Sequence, residues 1–340
     1  MVEGKPGRTL SVIAIPGAPD GSGYHRMWQP FSQLAKNSRH LCLIPPPGEE
    51  RQVPTPADLA GRDIDVFIRQ RPVGQAAARL WDRLDGVVAR VYEVDDDLLR
   101  IDTSSAIMQM IPEVNRDSVR YQLSAAELVT VSSPHLAEEC SRYSRNVAVL
   151  PNMIHEDVLS LPRVRRDRVT VGWAGGSSHL ADIAWVQEPL RDVLAAHPEA
   201  DMHWVGMDFS PLAGRECRFS PWEMNVWDYY RGIDFDIGLA PLAPIPFNDS
   251  KSYLKALDYA ALGIPVIASD LPPYREFVVD GVTGFLVRTA DEWRARLAEL
   301  VCDADAREEM GVKARQHAAG FTIQEHWRGW EAAYERATGR

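Results

Sequence analysis

Short apolar runs alternate with amphipathic stretches along most of this chain. Runs at 10–15, 40–44, 64–68, 87–92, 128–131 and 147–150 have the length and unbroken hydrophobicity of strands buried on both faces. Helical spacing appears between them, near 28–36, 74–84, 115–124 and 134–143. The alternation resumes with strands at 169–173, 202–205 and 235–240 and a helix over 180–195. Such a pattern predicts an α/β chain with parallel sheets covered by helices on both faces. Ligands then belong at the carboxyl ends of the strands.

The most informative stretch is 248–287. Leu254, Leu257, Ala260 and Ala261 make one helical face, while Lys251, Lys255 and Asp258 share another. Gly263 and Pro265 stop the helix, and 264–268 follows as a buried strand. Lys251 and Ser252 stand at the predicted helix start, where unpaired N–H groups and the positive end of the dipole suit phosphate. Taken alone, helix, turn and strand occur in any doubly wound domain, and the two lysines and Asp258 would be a solvated face.

Two glycine-rich turns follow predicted first strands. Residues 16–23 include Gly21, Ser22 and Gly23 and open a helix from about Tyr24, without the spacing of a dinucleotide fingerprint or a P-loop. Gly175, Gly176, Ser177 and His179 form the second turn, where backbone N–H groups and hydroxyls can converge on an anion. Arg69-Gln70-Arg71, the run Glu93 to Asp97, and Ser132 to His135 fall at other strand ends.

Composition narrows the class. A length of 340 residues suits two domains, and 45% hydrophobic with 25% charged residues is that of a soluble globular protein. The net charge of −11 disfavours nucleic acid as a partner. Arg163, Arg165, Arg166 and Arg168 form the densest basic cluster and read as a solvated linker over 161–168. Cys42, Cys140, Cys217 and Cys302 are scattered, which argues against a zinc site or a disulfide framework and fits a reducing cytoplasm. No signal peptide or transmembrane run is readable, and residues 1–8 are expected to fray.

Residues 258–287 resemble the donor signature of retaining GT-B glycosyltransferases of group 1, the family 4-like enzymes that use nucleotide sugars. That signature runs Glu, seven residues, Glu-Ala-x-Ala-x-Gly-x-Pro-Val-x-Ala-Ser, a Pro-Glu loop, then Asp-Gly-x-Thr-Gly-x-Leu-Val. Here Asp258 stands for the second Glu, Ser250 with Asp249 beside it for the first, and Glu276 lies in the loop. The segment 149–154 is similar to the family's opening of its second domain. Ile323, Trp327, Trp330 and Tyr334 look like its terminal helix.

The resemblance implies an α/β GT-B fold: two Rossmann-like doubly wound domains facing across a cleft, with the C-terminal helix crossing back. Residues 1–150 would be the acceptor domain, 151–320 the nucleotide-sugar domain and 321–340 the returning helix. It implies a cytoplasmic hexosyltransferase that moves sugar from a UDP- or GDP-linked donor to an acceptor hydroxyl with retention, without metal or other cofactor. Gly175, Gly176, Ser177, His179, Lys251, Ser252, Tyr253, Lys255 and Asp258 would bind donor, with Asp258 at the ribose and Asp249 or Ser250 at the sugar. Family members carry an Arg or Lys near the second turn. His179 stands there instead, so Lys251, Lys255 or Arg26 would neutralise the diphosphate. Gly21, Ser22, Gly23, Tyr24, Arg26, Arg69 and Asp95 would receive the acceptor, and the aromatic region of Trp222, Trp227, Tyr229 and Tyr230 would frame the base.

Asp95 to Asp97 also resemble the metal motif of the other glycosyltransferase fold, GT-A, which would not explain 258–287. The remaining alternatives are a GT-B epimerase or phosphorylase, a noncatalytic nucleotide-sugar-binding homologue, and an unrelated two-domain binding module.

Overall fold

A computed structural model describes residues 8–49, 53–100, 113–164 and 166–339. The expected frayed terminus up to residue 7 and Arg165 lie outside the described residues. The chain divides into two compact units, one made of the described parts of 1–99, 111–151 and 323–340, the other of 152–322 with residue 100.

The first unit holds a six-stranded parallel sheet of β1 (Ser11–Ile15), β2 (Leu41–Leu43), β3 (Val66–Gln70), β4 (Ala89–Val94), β5 (Leu128–Val131) and β6 (Val147–Val149). Its order is β2-β1-β3-β4-β5-β6, so the winding reverses between β1 and β3. On one face Trp81 from the helix Gln75–Arg83 is fully buried between Phe67 and Tyr92, at ring distances of 6.3 and 6.1 Å. Elsewhere the C-terminal helix Arg328–Ala337 packs on the helix Gln29–Asn37 and on β4 and β5, with Tyr334 5.8 Å from Phe31. Burying an aromatic side chain of this size contributes roughly 1.5–3 kcal/mol. His40 fastens the same helix. Its Nδ1 accepts the Leu10 N–H at 3.0 Å, so Nε2 carries the proton and faces Glu335 at 3.2 Å and Glu331 at 3.6 Å. That tautomer leaves no Nε2 lone pair for a metal among these three side chains.

The glycine-rich segment departs from expectation. Its helix begins at Gly21 under the side-chain cap of Asp20, passes through a π-wound turn at Tyr24–Trp28, and runs on to Asn37. Gly21, Ser22 and Gly23 are therefore helical, and only 16–20 form the turn. The π turn carries Arg26, which is fully buried and paired in a fork with Glu93 at 2.6 and 3.1 Å. Arg26 also donates to the Leu150 carbonyl, while Thr130 donates to Glu93.

The second unit carries β7 (Thr170–Ala174), β8 (Asp201–Gly206), β9 (Arg218–Pro221), β10 (Ile237–Ala240), β11 (Val266–Ser269) and β12 (Gly284–Val287), again all parallel. The order β12-β11-β10-β7-β8-β9 puts its reversal between β7 and β10. One face packs on the helices Leu180–Ala196 and Ala290–Cys302, and the other on Val226–Gly232, Leu254–Ala261 and Ala304–Ala318. The basic segment near 161–168 is not a free linker. Arg163 pairs with Asp236 and Glu308, Arg166 with Asp234, and Arg168 donates to the carbonyls of Pro198 and Glu199.

The buried Arg26–Glu93 pair yields a stability prediction. Glu93→Gln leaves a guanidinium uncompensated in the core and is expected to lower unfolding free energy by about 3–5 kcal/mol in urea denaturation. A loss below about 1 kcal/mol would show that the pair does not hold the first unit together.

Candidate functional site

In the second unit, the reversal point gathers an unusual density of polar atoms at the carboxyl ends of β7 and β10. Tyr259 begins the arrangement. A Cβ on Gly238 would sit 2.4 Å from the Tyr259 ring, so glycine lets the ring lie flat on β10. Its hydroxyl then accepts the Ala174 N–H at 2.9 Å, fastening the helix Leu254–Ala261 to the last residue of β7. Four residues earlier on that helix, Lys255 donates to the Ala174 carbonyl and lies 4.5 Å over the Trp173 ring. Gly175 follows, and a Cβ there would meet Trp173 at 2.7 Å and Lys255 Nζ at 2.9 Å. Burial lowers the Lys255 pKa to about 8, against the upward pull of Asp258 and Asp182.

His179 ends the short 3₁₀ turn Ser177–His179; the Ser177 side chain lies outside the described residues. Its ring meets Trp173 edge-on at 5.6 Å, and Nδ1 is 2.7 Å from Asp182. Asp182 is 2% exposed and also accepts the Ala243 N–H at 2.8 Å and the Asn248 amide at 2.7 Å. Burial, then Lys255 and Lys251, push the His179 pKa down to about 4, although Asp182 pulls the other way. Asp182 itself is held below its ordinary value by His179, the Ala243 amide and Lys251, despite burial.

The donor segment differs in detail from expectation. Its helix begins at Leu254, so Lys251 and Ser252 lie in the turn before it, after the short helix Pro246–Asp249. Lys251 is half-buried with Nζ 4.6 Å over the Phe247 ring, and Ser252 accepts from the Asn152 amide at 2.8 Å. Tyr253 is buried and stacked on Phe277 at 5.3 Å, which makes its side chain part of the core. Asp258 does not join a solvated face. It lies four residues after Leu254, on the inward stripe, 4% exposed, with the Tyr230 hydroxyl donating at 2.7 Å. Desolvation raises its pKa to about 7. Of the two residues standing for the first Glu, Ser250 is fully buried and Asp249 half-buried. Trp222 is partly exposed and 5.3 Å from Tyr229, whereas Tyr229 and Tyr230 are core residues.

The structure thus brings Gly175, Gly176, His179, Lys251, Lys255 and Asp258 to one sheet edge. Asp182, Asn248, Trp173 and Tyr259 belong with them and were not singled out from the sequence. The signal for Asp182 was an acid three residues after a histidine in a helix's first turn, where both face the same side.

The first unit has its own polar edge at its reversal point. Gln70 accepts the Gly17 N–H at 2.9 Å and donates to Ser22 at 2.8 Å, while Ser22 donates to Asp95. Arg71, in the left-handed region at φ 49°, pairs with Asp95 at 3.5 Å and approaches Asp20 at 3.9 Å. Arg69, the penultimate residue of β3, is half-buried, its pKa lowered by desolvation. Tyr24 lies in the π turn with its ring 5.1 Å from His25. Arg26 is committed to Glu93 and is not available as a surface counter-charge.

Comparison with known proteins bears on this arrangement. Residues 254–317 match the family model described as glycosyl transferases group 1. A D-inositol 3-phosphate glycosyltransferase of Nocardia farcinica is 41% identical over 86 residues, 24% of this chain and 19% of that protein. The enzyme of the same name from Kribbella flavida is 35% identical over 120 residues, 33% of this chain and 25% of that one. The aligned segments therefore span a quarter or less of these two relatives. Among solved structures, Anabaena HepE in complex with UDP and glucose superposes with a TM-score of 0.70 at 14% identity, covering 96% of this chain and 100% of that one. Sucrose-phosphate synthase from Thermosynechococcus elongatus gives 0.69 at 15% identity, covering 98% and 100%. The fold is GT-B, and residues 254–317 carry the likeness to group 1 glycosyltransferases.

Gly175→Ala offers a test of how this edge is packed. The added methyl must displace Trp173 or Lys255 Nζ, so anion affinity, read with inorganic pyrophosphate by calorimetry, is expected to fall roughly tenfold, about 1.4 kcal/mol. Unchanged affinity would mean that the Gly175–Lys255 contact does not shape the site.

Proposed function

We propose that this chain is a glycosyltransferase that moves a hexosyl group from a nucleotide-sugar donor to an acceptor hydroxyl, with retention and without metal, in the cytoplasm. The carrying observation is the convergence, at the reversal point of the second sheet, of Lys251 and the 175–179 turn with Lys255 and the buried Asp258 carboxylate, the last two from the segment that matches group 1 glycosyltransferases. The UDP and glucose in the HepE structure, with the nucleotide-sugar donor signature that 258–287 resembles, favour a UDP- or GDP-sugar. The four free cysteines accord with a reducing compartment, and no helix among the described residues is long and apolar enough to cross a membrane.

In this reading the donor diphosphate lies against the 175–179 turn, with Lys251 and Lys255 supplying the positive charge that a metal supplies elsewhere. Lys255 acts from a desolvated position, where a fixed charge stabilises a developing phosphate charge more strongly than in water. Asp258, buffered by Tyr230, faces the ribose, and Asp249, more accessible than Ser250, meets the sugar. Charge developing on the leaving diphosphate is met without reorganisation, because Lys255 is already pinned by Ala174 and Trp173. The first-unit edge of Gly21, Ser22, Gly23, Arg69 and Asp95 is assigned to the acceptor.

Thermal stability against UDP-, GDP-, TDP- and ADP-sugars, with and without EDTA, tests the donor. A ligand at a hundred times its dissociation constant adds about 2.7 kcal/mol. One nucleotide standing out, insensitive to EDTA, is expected; a shift abolished by EDTA would reverse the metal-free reading. Binding without turnover toward any acceptor would recast the chain as a nucleotide-sugar-binding protein.

Lys255→Ala is expected to weaken donor binding by about 1–3 kcal/mol. Because the Lys255 pKa lies near 8, its share of donor affinity is present below that pH and lost as pH rises through it. A Lys255→Ala variant with wild-type donor affinity would sink the assignment.

A further inference from the structure

The Asp182 carboxylate decides which nitrogen of His179 can meet a ligand. A carboxylate only accepts, so Nδ1 carries the proton it shares with Asp182. The neutral ring then presents Nε2 as a lone pair, and Nε2 has no hydrogen-bond partner among the described residues. A lone pair is the wrong partner for a phosphate oxygen, since both accept. Only the doubly protonated ring, with Nε2–H donating, fits an anion there.

The charges around the ring are settled by the packing. Asp182 faces it from its own helix, and Lys251 and Lys255 act on it from the donor segment. Trp173 on β7 is neutral, and the loop after β10 brings to Asp182 only the Ala243 amide and the Asn248 carboxamide. Tyr274, buried and raised well above its ordinary pKa with Asp182 among the causes, also stays neutral. Before a ligand arrives, burial and two lysines keep the imidazole unprotonated, with its pKa near 4. A diphosphate placed beside Lys251 and Lys255 cancels their repulsion and adds its own attraction.

We infer that His179, held in register by Asp182, takes up a proton from solvent when the donor diphosphate enters the 175–179 turn. The imidazolium then joins the two lysines as a third positive charge on the diphosphate. This rests on the donor assignment above and adds to it a residue role and a proton stoichiometry. Asp182 is a positioning residue: it fixes the ring and supports the imidazolium, and it is itself buried.

The sign follows from linkage. The folded, empty site holds the His179 pKa low and the loaded site raises it, so protons are taken up on binding between the two values. Donor affinity therefore strengthens as pH falls from about 8 toward about 5. Loss of Lys255 charge at high pH acts in the same direction, but it sits near pH 8 and survives substitution of His179.

Calorimetric titration with UDP-glucose, or with whichever sugar nucleotide stands out in the stability panel, reads the proton directly. Its diphosphate diester does not titrate near neutrality. The binding enthalpy is measured in buffers of different ionisation enthalpy across that pH range. In the wild-type protein uptake should climb toward about one proton per donor bound as the pH falls. His179→Gln, and His179→Asn should the first variant prove unstable, should bind more weakly at the acid end with that uptake gone. Binding with no uptake in the wild type, or equal uptake in the His179 variants, overturns the inference while leaving the donor assignment standing. No binding by any sugar nucleotide overturns the donor assignment and this inference with it.

Discussion

A charge removed from water must be compensated by partners fixed in place, and in the second unit that obligation falls on Asp182. Its nearly inaccessible carboxylate is satisfied by three groups from two parts of the chain: the His179 ring, and the Ala243 amide with the Asn248 carboxamide. The turn after β7 and the loop after β10 are thereby tied to the same two oxygen atoms. The walls of the reversal point cannot shift independently, because moving either strands a buried anion. The Tyr259 hydroxyl on Ala174 adds a third tie, from the helix that carries Lys255 and Asp258. The geometry around the proposed diphosphate seat thus follows from hydrogen-bond demands beneath it.

The first unit applies the same logic with different chemistry. There the buried pair is Arg26 and Glu93, and it lies under a π-wound turn instead of a phosphate-type loop. Both sheets reverse their winding beside their first strand, β1 or β7, and both gather polar side chains at that edge. The two edges are unlike in charge. Lysines dominate in the second unit, whereas Asp20 and Asp95 counter Arg71 in the first. An anionic leaving group and a hydroxyl acceptor make different electrostatic demands, and these differences suit the proposed division of donor and acceptor between the units.

Much of the fold was legible because strands buried on both faces write themselves as apolar runs. β5 spans 128–131, as its residues indicate, and the helix after β7 is a residue longer than its pattern. Residues 290–318 form two helices that the apolar pattern alone does not mark. The capping box of Thr289 and Glu292 was the missed signal. At the site, glycines and lysines were readable as types, but burial was not. Arg26 looks like a surface cation until Glu93, 67 residues away, is known to be its partner. Asp258 could have been placed correctly, since it lies one helical turn from Leu254. The basic cluster at 163–168 hid its role because its acids, Asp234, Asp236 and Glu308, are distant in sequence.

The return of 323–340 to the first unit bears on how the chain is made. The second unit is nearly continuous in sequence, whereas the first lacks the helix carrying Trp330 and Tyr334 until residues beyond 323 emerge. At about 5–20 residues per second, the interval between completing β6 and supplying that helix is on the order of 10–40 s. Over that time Phe31 and the flank of β4 and β5 await their cover, while the second unit has all its strands in hand. During synthesis, then, the later half of this chain can reach its native packing before the earlier half does.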